Sequence, residues 1–448
     1  MSQQVDASRI PELRQIAASA LEQARAAGAS QAEADASLQQ GLTASVRLGE
    51  VDTIEYQRDR GLAVTVYFGH RKGSASTADL RPDAVRETVL KACAIARHTA
   101  EDECAGLADA DTLARDIPDL DLDHPWHIEP EQAVALAREC EAAGLALDGR
   151  LKNSEGATVS SHRGVRVYGN TLGFLAGYPS SSHSISCALV AQQGQDMQRD
   201  YWYSVARHPD ELDNPRAVGR RAAERTLARM GARKLTTRRA AVLFAPELAR
   251  GLVSHFIGAI RGPSQYRRAS FLLGAAGQQV FPVFLQLLER PHIARGLASS
   301  PYDAEGTATR DRELVRDGVL QGYVLGSYSA RKLGLASTGN AGGIHNILVE
   351  AGGEARPFEQ LLEQMGDGLY VTELMGQGVN GVTGDYSRGA SGYWVEGGAI
   401  AYPVHEITIA GNLRDMLRQI VAVGTDVDAQ GAIRTGSLLL EQMTIAGD

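Results

Sequence analysis

The stretch GLVSHFIGAIRG, residues 251–262, begins like the helix of a zinc peptidase but holds a single histidine, His255. Hydrolysis on zinc requires about three protein ligands, an open position for water and a carboxylate to take that water's proton. Two histidines at i and i+4, with glutamate after the first, place these groups on one helical face. Here the i+4 neighbour is Ala259 and the next residue is Phe256, so the pattern fails at both points. A second histidine, His405, is followed by Glu406 in HEITIAG, but position 409 is isoleucine. The alternation of Val404, Glu406 and Thr408 against His405, Ile407 and Ile409 predicts a strand, on which residues four apart do not lie as they do on a helix.

His70, His98, His124, His127, His162, His183, His208 and His292 are scattered, and His345 stands out only because it follows the glycine loop GNAGG. Neither a G-x-S-x-G nucleophile turn nor a G-x-x-x-x-G-K-[ST] phosphate loop occurs. The densest unusual segment is GVNGVTGDYSRGASGYWVEGG, residues 378–398. It reads either as a set of tight strand turns or as a wall that accepts an extended peptide, since glycine permits close backbone approach. On the second reading Asp385, Tyr386, Ser387 and Arg388 are the candidate peptide contacts, being polar side chains set among glycines.

The elements that must position these residues follow from length and pattern. A chain of 448 residues exceeds one hydrophobic core, and two domains are expected. The net charge is −9 and the pI about 5.7, which gives no electrostatic reason to bind nucleic acid or an anionic membrane. The N-terminus lacks the basic and apolar regions of a signal peptide, no apolar run reaches the roughly 18 residues of a membrane span, and a cytoplasmic location is expected. Cys93, Cys104, Cys140 and Cys187 show no C-x-x-C spacing and read as reduced thiols.

A helix over about 10–27, strands from Leu42 to Phe68, a helix over 81–98, a long connection over 101–128, a helix over about 129–145, strands between 150 and 207 and a helix capped by Asn214 make up the first half. Helix, meander and helix therefore occur twice. The expected class is α+β: an N-terminal helix and antiparallel-sheet domain, residues 1–234, with lobes at about 1–105 and 125–234, and a β-rich, curved or barrel-like domain over 235–448. Short strands separated by glycine turns are expected from 275 to 411, with Asp317-Gly318 as a type I′ hairpin turn and one short helix near LRDMLRQI.

TGDYSRGASGYWVEGG, then YPVHEITIAGNLRDMLRQIVAVGTDVD and the ending IRTGSLLLEQMTIAG, resemble the TldD/PmbA family, and within it the PmbA, or TldE, branch. The resemblance spans essentially the whole chain. TldD-type members carry H-E-x-x-x-H on a helix and a late metal-binding cysteine. Laid over residues 254–259, the two histidine slots hold Ser254 and Ala259, His255 takes the slot of the general base, and no cysteine follows Cys187. The motif's two histidines lie five apart, about 140° around an ideal helix, so it needs a locally widened turn, which Gly258 would permit. The resemblance therefore implies no catalytic residue and no metal in this chain. It implies instead a zinc-bearing TldD-type partner, a shared metallopeptidase activity on small unfolded peptides, and a homodimer when the chain is alone. A partner-independent peptide-binding or scaffold protein is the alternative, and an independent enzyme using His255, His345 or the His405 and Glu406 pair is the third.

Overall fold

The computed structural model describes residues 5–353 and 355–447. Helix α1, Ile10–Ala26, starts with Pro11 in its first turn and gives way to Gly28, whose φ of +88° suits a residue without a Cβ. Strands β1 (Gln31–Arg47), β2 (Glu50–Phe68) and β3 (Arg71–Thr77) follow, then α2 (Pro82–His98). After a long connection come α3 (Pro130–Leu145), β4 (Leu151–Asn170), β5 (Leu175–Gln193), β6 (Asp196–Ala206) and α4 (Pro215–Ala228). Asn214 caps α4 by accepting the Arg216 backbone N–H.

The two lobes of the first half share a single antiparallel sheet, in the order β3-β2-β1-β4-β5-β6. Strands β1 and β4, 17 and 20 residues long, pair from Glu33↔Asn170 to Val46↔Ala157 and so run beneath both helix pairs. Each lobe keeps its own core: Leu13, Ala17, Val85 and Val89 of α1 and α2 pack on Ala34, Ala36 and Val64, while Ala137, Cys140, Val218 and Ala222 of α3 and α4 pack on Ala44, Val159 and Ile185. The first strand begins at Gln31 and not at Leu42. Its early inward positions are Ala32, Ala34 and Ala36, small residues with little strand preference of their own that let helices approach closely. Helices α3 and α4 touch backbone to backbone, since a Cβ on Gly219 would stand 1.9 Å from the Cys140 carbonyl oxygen.

The connection over 99–129 is strapped to the second half. The Ala114 N–H donates to the Gly306 carbonyl at 2.9 Å, and Lys332 pairs with Asp102 at 2.8 Å. The second half opens with β7 (Arg238–Phe244), α5 (Pro246–Ile260) and α6 (Gly262–Tyr266). It continues through β8 (Gln286–Glu289), β9 (Arg312–Arg316), β10 (Val319–Leu320), α7 (Ser327–Leu333), β11 (Ile347–Glu350), β12 (Ala355–Arg356) and α8 (Phe358–Met365). Last come β13 (Gly368–Met375), β14 (Asp385–Glu396), β15 (Ala399–Asn412), α9 (Leu413–Arg418), β16 (Ile420–Gly424), β17 (Ile433–Arg434) and β18 (Leu438–Ala446).

Strands β7, β13, β14, β15 and β18 close into a ring, because β18 pairs with both β15 and β7. Val242, Leu369 and Leu440 face one another across adjacent strands and turn into the large core that α5 enters. Leu243 and Leu439 point out of the ring and are covered by Leu361, Leu362 and Met365 of α8. A smaller sheet, β10-β9-β8-β11-β17, packs on the same core. Asp317 and Gly318 turn its hairpin with φ values of +50° and +73°, as a type I′ turn requires. Helices α7 and α8 stand where short strands were expected, being only 7 and 8 residues long and too brief for their period to declare itself.

An ion network ties the halves together. Asp200 of β6, 6% exposed, pairs with Arg225 at 3.3 Å and with Arg229 at 3.5 Å. Arg225 also reaches Glu247 of α5 at 2.7 Å, and Arg229 pairs with Glu373 of β13. Among the described residues no helix is long and apolar enough to cross a membrane.

Candidate functional site

Helix α5 carries the segment that first suggested metal chemistry. Pro246 and Glu247 occupy its first turn, where a missing N–H costs nothing and a negative charge meets the positive end of the helix dipole. Leu252, Val253, Phe256, Ile257 and Ile260 recur at helical spacing and are buried in the main core. Ser254 lies on the opposite, exposed face. Ala259 is 4% exposed and belongs to the core, as a position five residues from Ser254 must when the helix is regular. The helix is an unbroken α-helix from Pro246 to Ile260, so Gly258 sits in an ordinary turn and the widened turn it would permit is not formed.

His255 is half-buried beside β14. Its ring meets that of Tyr386 edge to face, with centroids 6.1 Å apart and planes at 77°. Burial holds the imidazole below its usual pKa, and the nearby Arg388 guanidinium adds to the shift by opposing a second positive charge. Tyr386 is 2% exposed, and burial pushes its phenol up to about 12 while Arg388 pulls the other way. Among the described residues, neither the Tyr386 hydroxyl nor Arg388 Nε has a hydrogen-bond partner.

The four candidate contacts on β14 divide between its two faces, as strand geometry dictates. Tyr386 and Arg388 lie toward His255. Asp385 and Ser387 are exposed, and Asp385 accepts a hydrogen bond from Thr383 Oγ1 at 2.6 Å. Strand addition to β14 is blocked on both sides. Strand β15 pairs along its whole length, β13 pairs from Gly389 to Val395, and the 376–384 segment covers the remainder through Ser387 N–H to Gly378 O at 2.7 Å and Asn380 N–H to Asp385 O at 2.8 Å. The many glycines here serve close packing: a Cβ on Gly392 would stand 1.9 Å from the Tyr370 carbonyl oxygen.

The other sequence candidates lie apart. His345 is 7% exposed, its Nε2 is 3.0 Å from the Gly339 carbonyl oxygen and its backbone N–H donates to Glu289. His405 and Glu406 are on β15, as predicted, but Glu406 adopts φ +52° at a bulge. The bulge puts Val404 on the buried side with Ile407 and Ile409, correcting the simple alternation. Glu406 pairs at the surface with Lys234 at 3.1 Å. Among the described residues, no three His, Cys, Asp or Glu side chains converge as a metal site would require.

Two concave features escaped the sequence reading. A cleft of about 490 Å³ continues the open face of α5 beyond Gly258, between Arg261, Tyr266, Glu305, Tyr328 and Asn340. Arg261 is seven residues from Ser254, so the helical period could have pointed to it; Glu305 and Tyr328 arrive from distant segments. A groove of about 560 Å³ lies on the N-terminal sheet, lined by Tyr56, Trp126, His127 and His183. Its aromatic wall comes from DLDLDHPWHIEP, which reads in sequence only as a connection.

Three family models match in order: PmbA/TldA metallopeptidase domain 1 over residues 32–96, the central domain over 123–230 and the C-terminal domain over 237–447. The metalloprotease PmbA of Escherichia coli O157:H7 is 51% identical over 416 residues, which is 93% of this chain and 92% of that one. A solved chain from Bacteroides thetaiotaomicron superposes with a TM-score of 0.92 at 25% identity, covering 98% of this chain and all of the other. TldE from Thermococcus kodakarensis superposes with a TM-score of 0.81 at 19% identity, over 95% and 99% of the two chains, a likeness of fold alone.

Proposed function

The chain belongs to the PmbA/TldD metallopeptidase family, on its PmbA branch, and from that premise we propose that it is the zinc-free subunit of a two-component cytoplasmic peptidase. Its partner is a TldD-type chain, which carries the zinc and the hydrolytic chemistry, and the substrates are small unfolded peptides. The observation that supports this most is the state of α5. Where the family's zinc-bearing members place two histidines, this helix has an outward serine hydroxyl and a buried methyl, about 140° apart on a regular helix. A methyl offers no donor, and one half-buried imidazole without an anionic neighbour has little affinity for zinc, so these residues do not fit the ion.

This chain then contributes shape and contacts. On this reading Arg388, with Tyr386 behind it on the His255 face of β14, touches the peptide through its side chain, because the backbone of β14 is already fully engaged, while Asp385 and Ser387 leave the strand on its other face. The cleft beyond Gly258 extends the same helix face.

The test is to purify the chain alone, measure its zinc content and its cleavage of an unfolded peptide, and repeat both with a TldD-type chain added. Activity that appears only in the mixture is the expected result. Stoichiometric zinc with cleavage by the isolated chain would sink the proposal, and no gain on mixing would favour a partner-independent peptide binder.

A further inference from the structure

We infer that the cleft beside α6 and α7 is a binding site for a short peptide held by both of its free ends, the ammonium against Glu305 and the carboxylate against Arg261. At about 490 Å³ the cleft falls within the range of roughly 300–1,000 Å³ usual for small-ligand sites. The inference rests on the peptidase reading only for the source of its ligand, since each peptide bond that is hydrolysed leaves one new ammonium and one new carboxylate.

The backbone fixes both charged residues. The Gly262 N–H donates to the Val324 carbonyl at 3.0 Å and the Val324 N–H donates to the Ile260 carbonyl at 3.1 Å, which pins Arg261 where α5 gives way to α6. Where α6 meets α7, a Cβ on Gly262 would stand 2.3 Å from the Ser329 side chain. Its absence lets the helices close up and brings the Tyr266 and Tyr328 rings edge to face, centroids 5.9 Å apart. Glu305 is held by its own N–H, which donates to Asp303 at 2.9 Å, and by the Ser327 N–H, which its Oε2 accepts at 2.9 Å. Groups fixed before a ligand arrives lose little freedom on binding.

Most other polar side chains of the cleft are already engaged. The Ser264 hydroxyl donates to the Gly258 carbonyl at 2.8 Å, that of Ser329 to Gly326 at 3.0 Å and that of Tyr328 to Asp102 at 2.6 Å. The Asn340 amide donates to Glu289 and to the Gly343 carbonyl. Two further cations border the tyrosines: Lys332 is paired with Asp102, and Arg267 lies over the Tyr266 ring. Arg261 is different. It is exposed, its Nη2 lies over Gly343, and among the described residues no ion pair or hydrogen bond engages its side chain. Glu305 spends one oxygen on Ser327 and has no ion-pair partner among the described residues. Glu33 and Asp303 stand close enough to feel its charge, which makes this end of the cleft acidic. Opposite charges that line one cleft without neutralising each other match a ligand that carries both, and a singly charged ligand would leave one of them uncompensated.

The test is calorimetric titration of the chain alone with dialanine, N-acetyl-dialanine, dialanine amide and alanine. Dialanine is expected to bind with a Kd of about 1 mM or below, and the other three about tenfold more weakly. Arg261→Ala should bind dialanine and its amide alike while still preferring a free ammonium. Glu305→Gln, which keeps an acceptor for the Ser327 N–H, should bind dialanine and its acetylated form alike while still preferring a free carboxylate. Thermal melts check that both variants fold, and the comparison of blocked ligands on the wild type needs neither. No binding of dialanine at about 10 mM would overturn the inference, as would blocked forms that bind equally well or variants that keep both preferences. Alanine binding as tightly as dialanine would assign the cleft to single amino acids and overturn it too. With no partner chain present, these outcomes are read separately from whether the mixed subunits cleave peptides.

Discussion

His255 and Tyr386 meet edge to face, ring centroids 6.1 Å apart, across the boundary between helix α5 and strand β14. The contact sets the half-buried imidazole against an aromatic ring, and the burial there fixes the sign of a pH effect. Burial lowers the His255 pKa, so below about 6.5 the unfolded chain takes up a proton that the folded chain does not. Stability from this residue is therefore present at neutral pH and is lost as pH falls through that range. Thermal melts at about pH 7.5 and 5.5 should show a larger loss for the wild type than for His255→Phe, which keeps the ring contact without the titration. Equal losses would mean that the imidazole stays solvated.

On the proposed reading Arg388 meets the substrate: it shares the His255 side of β14, and its buried Nε lacks a partner among the described residues. Arg388→Ala in the assembled complex should leave assembly intact and reduce kcat/KM for peptide cleavage by about tenfold or more, the scale of one charge-assisted contact. Unchanged cleavage would remove Arg388 from the substrate path.

Rebuilding the ligand set should not rebuild a metal site. The substitutions Ser254→His, His255→Glu and Ala259→His together restore the family's motif letters, but the two imidazoles would leave a regular helix about 140° apart. Ala259→His also forces a ring into a core position that is 4% exposed, at a cost of about 1–3 kcal/mol. We expect a lower Tm and substoichiometric zinc by elemental analysis; one tightly held zinc per chain would show that α5 can open its turn.

Gly219→Ala tests the crossing of α3 and α4. Helix propensity alone would make alanine better by about 1 kcal/mol. The new Cβ would, however, lie 1.9 Å from the Cys140 carbonyl oxygen, which is backbone and cannot swing away. Overpacking outweighs propensity, and a net destabilisation of about 1–3 kcal/mol is expected in denaturant melts. A stabilised variant would mean that the helices can part freely.

Much of this was legible in sequence because it is local. The Asn214 cap, the Asp317-Gly318 turn and the helix over 81–98 each depend on residues a few positions apart, and the structure has them all. What was not legible depends on distant partners. Nothing near Ala34 announces that it runs beside Gly169, which is how one sheet comes to underlie two lobes. Nothing near Val242 announces Leu440, the pairing that closes the ring. The candidate contacts on β14 show the same limit. Their polarity was visible, but which face of the strand turns toward His255 follows only once β13 and β15 have set its orientation.

The network at Asp200 bears on how the molecule comes apart. Both of its arginines also pair with acids of the other half, Arg225 with Glu247 and Arg229 with Glu373. Separating the halves would strand a buried carboxylate and two guanidiniums together, which is far costlier than losing surface ion pairs. A partly melted chain with one half intact is thus an unfavourable species, and heat should unfold all three family segments in one cooperative transition, with a single calorimetric peak despite a length that would ordinarily give two.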